Sequence, residues 1–440
     1  MPMNIILLSG GSGKRLWPLS NDIRSKQFIK IFKKEDGSCE SMVQRVYRQI
    51  KKADADANVT IATSKAQVSA IHSQLGENVC ICVEPCRRDT FPAITLATSY
   101  LMDVMHIDAH ETVIVCPVDP YVDESYFEAL KELAEQVDQG EANLVLMGIE
   151  PTYPSEKYGY IIPESAEQVA AVKTFKEKPT KAVAEQYIAQ GALWNGGVFA
   201  FKLDYMMGKA HELMDFTDYQ DLFKKYDTLK KISFDYAVAE HEKRIQVVRF
   251  SGMWKDLGTW NTLTEAMNEP IVGRGVMDET CTDVHIVNEL DVPILALGLH
   301  DVVISASPDG ILVSDQESSS RMKPFVDSFE NQVMFAEKSW GNLKVVDVEK
   351  SSMTIKVTLN PGKNMSYHSH SHRDEVWIVV SGEGKAIVDD MARKVKAGDV
   401  ITMPAGCRHT VLADTELKLI EVQLGRNITV HDKHEFNAAN

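Results

Sequence analysis

What the chain does without narrows it first. No apolar run approaches the ~20 residues that a membrane span needs, so nothing in the 440 residues reads as a transmembrane helix. No apolar leader opens the chain, and its seven cysteines, an odd number, include no Cys-x-x-Cys pair. That combination argues against a disulfide-stapled secreted domain and sets the expectation of a reduced, cytoplasmic protein. Cys80, Cys82 and Cys86 lie close together, but on an alternating strand they read as small buried hydrophobes in preference to a zinc site. Basic residues are outnumbered, 47 Lys and Arg against 63 Asp and Glu, for a net charge of −16. A general nucleic-acid binder needs a basic face that survives competition from salt, so that class is excluded and any phosphate chemistry is local. What is present, 44% hydrophobic and 25% charged residues over this length, makes a globular chain of two or three domains.

The stretch around which the rest is organised comes first. Residues 5–8 are apolar and run through Ser9 into Gly10, Gly11 and Gly13, the pattern of a strand feeding a glycine-rich turn. Such a turn lets backbone N–H groups approach a phosphate, because no side chain intervenes and positive φ costs little. Arg15 and Lys26 add fixed positive charge beside it. Two familiar phosphate signatures fail here: there is no Gly-Lys-Ser/Thr, and the spacing is not that of the dinucleotide fingerprint.

Strand-like runs at 59–63, 79–84, 113–118 and 144–149 alternate with helix-like stretches at 67–75 and 93–105. The alternation predicts βαβ units around a mostly parallel sheet, whose ligands sit at the carboxyl ends of strands. Asp119 leaves one such strand in Cys-Pro-Val-Asp-Pro, and Asp256 follows the strand-like run 245–250 in Trp-Lys-Asp-Leu-Gly-Thr-Trp. Either Asp alone reads as a turn former, but together they suit one Mg²⁺ held against triphosphate oxygens. From about Glu269 short apolar strands replace helices through 276–315, a β-rich connector, and the Ser-rich 315–323 reads as a linker. Beyond it, His368 and His370 at period two share a strand face, Glu375 returns on the next strand, and His409 follows. Three imidazoles and a carboxylate can surround one divalent transition metal, and a metal-free His-rich hairpin is the alternative. The expected boundaries are 1–268, 269–320 and 321–440.

Gly-Gly-x-Gly-x-Arg-Leu-x-Pro followed by Lys26-Gln27-Phe28 resembles the N-terminal signature of the sugar-1-phosphate nucleotidyltransferases, most closely their mannose-1-phosphate guanylyltransferase branch. The resemblance implies a Rossmann-like α/β domain that joins GTP to mannose 1-phosphate with Mg²⁺ on Asp119 and Asp256. It also implies that Gly159, Glu177 and Asn195 contact sugar hydroxyls and Lys178 the sugar phosphate. Family members usually have Thr at Lys14 and Pro at Ser25, and Trp-Asn-Ser-Gly where this chain has Trp194-Asn195-Gly196-Gly197. Arg88-Asp89-Thr90-Phe91-Pro92-Ala93 is similar to the family's base-binding loop. There Asp89 fits two readings, a carboxylate accepting both donors of guanine or the cap of the following helix.

The C-terminal pattern resembles both motifs of the cupin β-barrels except at Ala413, where Asn is usual. Residues 372–382 are similar to the type II phosphomannose isomerases, with Trp340-Gly341 matching that domain's opening. That resemblance implies a Zn²⁺, Mn²⁺ or Co²⁺ site and an essential Arg373 for isomerising mannose 6-phosphate. It departs at His368, where Gln is common, and at Val376, where His is common, which implies an ionisable group lost near the metal. A homodimer is the expected assembly. The rival reading is an isomerase with a regulatory nucleotide domain, or a barrel that only binds. Regulation would not require the full set Arg15, Lys26, Asp119 and Asp256.

Overall fold

The computed structural model describes residues 2–11, 14–21, 23–329, 333–426, 428 and 432–436. Its N-terminal part is built on one nine-stranded sheet. The order is Cys80–Glu84, Asn58–Ser64, Asn4–Leu8, Thr112–Pro117, Leu193–Lys202, Leu144–Ile149, Ile245–Phe250, Val169–Lys176 and Tyr160–Pro163. Seven strands run one way, while Leu193–Lys202 and Val169–Lys176 oppose them. The opening strand is apolar throughout because both of its faces are covered: Ile5, Ile6 and Leu7 are each at most 1% exposed. Ile5 and Leu7 face a core shared with Val46 and Ile50 of helix Met42–Ala53 and Leu130 and Leu133 of helix Ser125–Gln139. Ile6 faces the opposite core, with Ile94 and Leu101 of helix Thr90–Asp103 and Met206 of helix Leu203–Leu213. Period-two alternation thus yields three layers, α/β/α, and each fully buried Ile or Leu contributes about 1.5–3 kcal/mol.

Helix starts are set locally. Ser41 Oγ accepts from the Gln44 N–H at 3.3 Å while Gln44 Oε1 accepts from the Ser41 N–H at 3.1 Å, a reciprocal cap. The helix expected from residue 93 begins earlier, at Thr90, because Pro92 is tolerated in a first turn whose N–H groups have no helical partner.

The connector is a stack of short parallel rungs. Ile271–Gly273 pairs with Thr282–Asn288, which pairs with His300–Ser307, and Gly310–Asp315 folds back antiparallel. The stretch expected to be a linker is instead folded: Ser318–Arg321 is a 3-10 turn and Lys323–Val326 a short helix. Met322 and Val326, four residues apart and so on one helical face, bury in the same core as Leu16 and Leu263.

Two sheets make the C-terminal barrel. One, of six strands, runs Phe335–Lys338, Gly341–Glu349, Ser352–Leu359, Leu417–Gly425, Arg373–Ser381, Val400–Met403. The other, of five, runs Met391–Lys396, Glu383–Val388, His409–Ala413, His368–Ser369, His434–Glu435. Trp377, Leu359 and Leu417 are fully buried between them. Among the described residues no helix is long and apolar enough to cross a membrane.

Candidate active site and metal centre

The first site lies at the carboxyl ends of the central strands. Asp119 immediately precedes the short strand Pro120–Val122, which pairs with Trp254–Asp256 so that Asp256 stands opposite Pro120. That small ladder brings together two carboxylates far apart in sequence. The Lys26 ammonium, on a 3-10 turn, sits 2.7 Å from Asp119 and 3.5 Å from Asp256. Burial works against the Lys26 charge, but both aspartates outweigh it and hold its pKa above the ordinary value. Burial likewise opposes the Asp119 carboxylate, and Lys26 overrides it, so Asp119 stays ionised.

Asp119 and Asp256 line a cleft of about 220 Å³ together with Gly159, Glu177, Asn195, Asp235, Tyr158 and Trp254. A Cβ at Gly159 would stand 2.4 Å from Glu177 Oε2 and 3.2 Å from Phe175 Cζ, so a side chain there would displace Glu177. That oxygen and Trp254 Nε1 are buried with no protein partner, which leaves both for a ligand. Asn195 Nδ2 donates to Asp235 at 2.6 Å, and Asn195 Oδ1 accepts from the Gly197 N–H at 3.1 Å. Burial and the neighbouring Glu177 push Asp235 up to about 6. Lys178 adopts a left-handed φ of 46° and reaches the cleft through Glu177, 2.7 Å from its ammonium. Sequence alone assigns Asp235 no role. Its place in a π-helical turn, Asp235–Ala239, is the structural mark that sequence does not carry.

The glycine loop is braced from below. The Gly11 carbonyl accepts from Ser25 Oγ at 2.8 Å, Gln67 Nε2 at 3.3 Å and Arg87 Nη2 at 3.2 Å. Ser25, a departure from the family's Pro, thus replaces ring rigidity with a hydrogen bond. Gly10 and Gly11 remain open, Arg15 is exposed in the turn Lys14–Leu16, and Gly13 lies outside the described residues. Ser9 is buried and turned inward, its Oγ accepting from Gln27 Nε2 at 3.2 Å. Asp89 takes up the capping reading, with φ of 73° and its carboxylate accepting from the Thr90 N–H at 2.8 Å. The buried carboxylate beside the loop is Glu84, missed in sequence. It accepts from Tyr226 OH at 2.8 Å and lies 3.6 Å from where a Gly10 Cβ would be.

The second site is inside the barrel. His368, His370 and His409 are buried, with ligand nitrogens all within 4.8 Å of one another. Each Nδ1 points at a backbone carbonyl: Ser366 at 2.7 Å for His368, Asp432 for His370, and Cys407 at 3.0 Å for His409. Those contacts fix the tautomer and leave Nε2 facing inward as a ligand. Burial and His409 hold His368 down to about 3, hence neutral, the form that binds metal. Glu375 lies 3.0 Å from His370 Nε2 and 3.1 Å from His409 Nε2. His409 Nε2 and Glu375 Oε2 are buried 3.1 Å apart with no hydrogen bond that satisfies either, which fits both as metal-ligand atoms. Arg373 is buried alongside, with Nε 3.1 Å from Glu375 and Nη2 3.1 Å from His370.

Val376 requires a correction. Along Arg373–Ser381 the residues alternate, with Arg373, Glu375 and Trp377 inward and Asp374, Val376 and Ile378 outward. Val376 sits opposite Val422 and Thr402 on the outer face, so no ionisable group is missing from the metal's surroundings on its account. The inward residues that sequence reading passed over are Glu421 and Gln423, opposite Trp377 and Glu375. Glu-x-Gln on a strand would have shown them to share one face.

Comparison with known proteins covers both parts of the chain. Residues 4–271, more than half of the chain, match the nucleotidyl transferase family, and residues 328–438 match the mannose-6-phosphate isomerase C-terminal family. Xanthan biosynthesis protein XanB of Xanthomonas campestris is 28% identical, covering 98% of this chain and 97% of its own. Mannose-1-phosphate guanylyltransferase RfbM of Salmonella typhimurium is 27% identical over 96% and 94%. A solved structure from Thermus thermophilus, titled mannose-1-phosphate geranyltransferase, superposes with a TM-score of 0.63 at 27% identity, covering 75% of this chain and 99% of its own. With a match that spans all nine strands of the N-terminal sheet and more than half of the chain, the chain belongs to the nucleotidyl transferase family.

Proposed function

We propose that the chain transfers GMP from GTP to mannose 1-phosphate, forming GDP-mannose and releasing pyrophosphate. The observation that carries this reading is the meeting of Asp119 and Asp256, both paired with Lys26, in a cleft whose further lining is polar and partly unpartnered. An oxygen of the sugar phosphate attacks the α-phosphorus in line; the new P–O bond forms as the bond to the β-phosphate bridging oxygen breaks, and pyrophosphate leaves. Lys26 and Arg15 carry positive charge to the triphosphate, and Lys178 carries it to the sugar phosphate. Glu177, Asn195 and Asp235 orient the sugar hydroxyls. Asp119 and Asp256 would hold Mg²⁺, which supplies charge neutralisation at the transferring phosphoryl group. Glu84 replaces Asp89 as the guanine reader, because its carboxylate stands beside the glycine loop while Asp89 is committed to a helix cap. Pyrophosphate release measured across four NTPs and several sugar 1-phosphates should be fastest with GTP and mannose 1-phosphate. A faster rate with another nucleotide would overturn the assignment.

The barrel favours a second activity, aldose–ketose isomerisation of mannose 6-phosphate, because Arg373 is held against two of the prospective metal ligands. His368, His370, Glu375 and His409 would hold Zn²⁺, Mn²⁺ or Co²⁺ as a Lewis acid. Conversion of mannose 6-phosphate to fructose 6-phosphate by metal-loaded protein is the expected result, and no conversion with any of the three metals overturns this reading.

A further inference from the structure

Lys26 lies in a short span whose two ends are held by residues from far along the chain. At one end the Arg24 guanidinium, buried, forks onto Glu289 of the connector, Nη1 to Oε2 at 2.7 Å and Nη2 to Oε1 at 2.8 Å. It also lies over the ring of Phe335, a barrel residue, 5.2 Å from the centroid. Asn21 locks the same turn: its Oδ1 accepts from the N–H groups of Ile23 and Arg24, while Nδ2 donates to Asp309 at 2.9 Å and to the Phe335 carbonyl at 3.3 Å. At the other end Lys30 pairs with Glu337 of the barrel at 3.0 Å. Gln74 Nε2 joins the Phe28 carbonyl, 2.9 Å, to the other oxygen of Glu337, 2.7 Å. Between these anchors sit Ser25, which braces Gly11, and the Lys26–Phe28 turn.

We infer that Arg24, with Glu289 and Glu337 supplied by the connector and barrel, is a positioning device for Lys26 and the glycine loop, so that the C-terminal units form part of the transfer machinery. The inference rests on the reading of Lys26 as a transfer-site residue. A planar bidentate fork fixes both distance and orientation, which one point charge does not. Because Arg24 is two residues from Lys26, a shift of its anchor moves the ammonium by a comparable amount. A displacement of about 1 Å at a reacting centre costs on the order of 100-fold in rate. Arg24 touches neither aspartate, so it is not a catalytic residue.

The test uses the full chain carrying Glu289→Ala or Glu289→Gln. Each should lower kcat for pyrophosphate release roughly 10- to 100-fold, with the KM for mannose 1-phosphate within about twofold, since the sugar wall is untouched. Hydrogen exchange should accelerate across residues 9–27 and stay unchanged in the barrel strands. The swapped pair Arg24→Glu with Glu289→Arg should recover most of the rate, which ties the loss to this ion pair and not to either side chain alone. Unchanged kcat in both variants, even with a lowered melting temperature, overturns the inference, as does unchanged exchange over 9–27. Should Glu289→Ala fail to fold, Glu289→Gln keeps the shape and carries the test. If wild-type protein releases no pyrophosphate, the transfer reading fails separately, and the exchange measurement still decides the positioning.

Discussion

The two sites solve the same problem, holding a cation among ligands, with opposite materials. In the cleft the ligands are half-exposed carboxylates whose charge is answered by a protein ammonium, and they are joined by a ladder only three residues long. In the barrel they are buried imidazoles, each with its tautomer set by a backbone carbonyl, His368 and His409 on paired strands of one sheet and His370 just beyond the first of them. Hard oxygen ligands at an open edge suit a hydrated ion that arrives with a nucleotide, whereas a dry nitrogen-rich cage suits a resident transition metal. The comparison implies that the sites fail independently when their own ligands are removed.

The strongest way to break it is Asp119→Ala or Asp256→Ala. Each should lower nucleotidyl transfer by about two to four orders of magnitude, as for loss of one electrostatic stabiliser, while metal content of the barrel stays at the wild-type level. A coupled loss of barrel metal would show that the sites are not separate. Next in size, His370→Ala or His409→Ala should lose bound metal by elemental analysis, with transfer kept within a fewfold of normal. Arg373→Ala should keep the metal but abolish conversion of mannose 6-phosphate.

A smaller effect concerns pH. Asp235 titrates near 6, above its ordinary 3.8, because of burial and Glu177. The folded protein therefore holds a proton that the unfolded chain releases, so this group favours folding below about pH 4 and loses that contribution as pH rises through 6. Asp235→Asn should raise the melting temperature relative to wild type at pH 7.5 and make little difference at pH 4. An equal shift at both would deny the burial of that charge. The smallest change is expected from Val376→His. On the outer face it should leave metal affinity and transfer within about twofold, and a clear change in metal content would contradict the strand's alternation.

The residues that were legible in sequence are those whose chemistry coincides with a local pattern. The apolar run before Gly10, the strand ends bearing Asp119 and Asp256, and the period-two histidines all announce their faces without tertiary information. Asp89 was ambiguous because a carboxylate that caps a helix and one that reads a base look alike until its hydrogen bond is seen. Ser318–Arg321 looked like a linker because its polarity outweighed the flanking Met322 and Val326, and burial of those two depends on a core elsewhere in the chain. Val376 was misread because the resemblance was followed position by position while the alternation of its strand was not. Arg24 and Glu289 were invisible, since nothing local distinguishes a long-range ion pair from two surface charges.

The reversed strand Leu193–Lys202 carries a consequence for how the protein is made. Among the described residues it alone bridges Thr112–Pro117 and Leu144–Ile149, which do not pair with each other in the nine-stranded order. A nascent chain that has emerged from the ribosome as far as Leu144–Ile149 but not Leu193 therefore leaves one edge of Thr112–Pro117 open and both edges of Leu144–Ile149, whose other neighbour Ile245–Phe250 comes later still, and that second strand is apolar at nearly every position. Unpaired edges of that kind template association between chains. Shelter by a chaperone during that interval of translation, and aggregation of any fragment that stops within it, are the price of threading the central strand in so late.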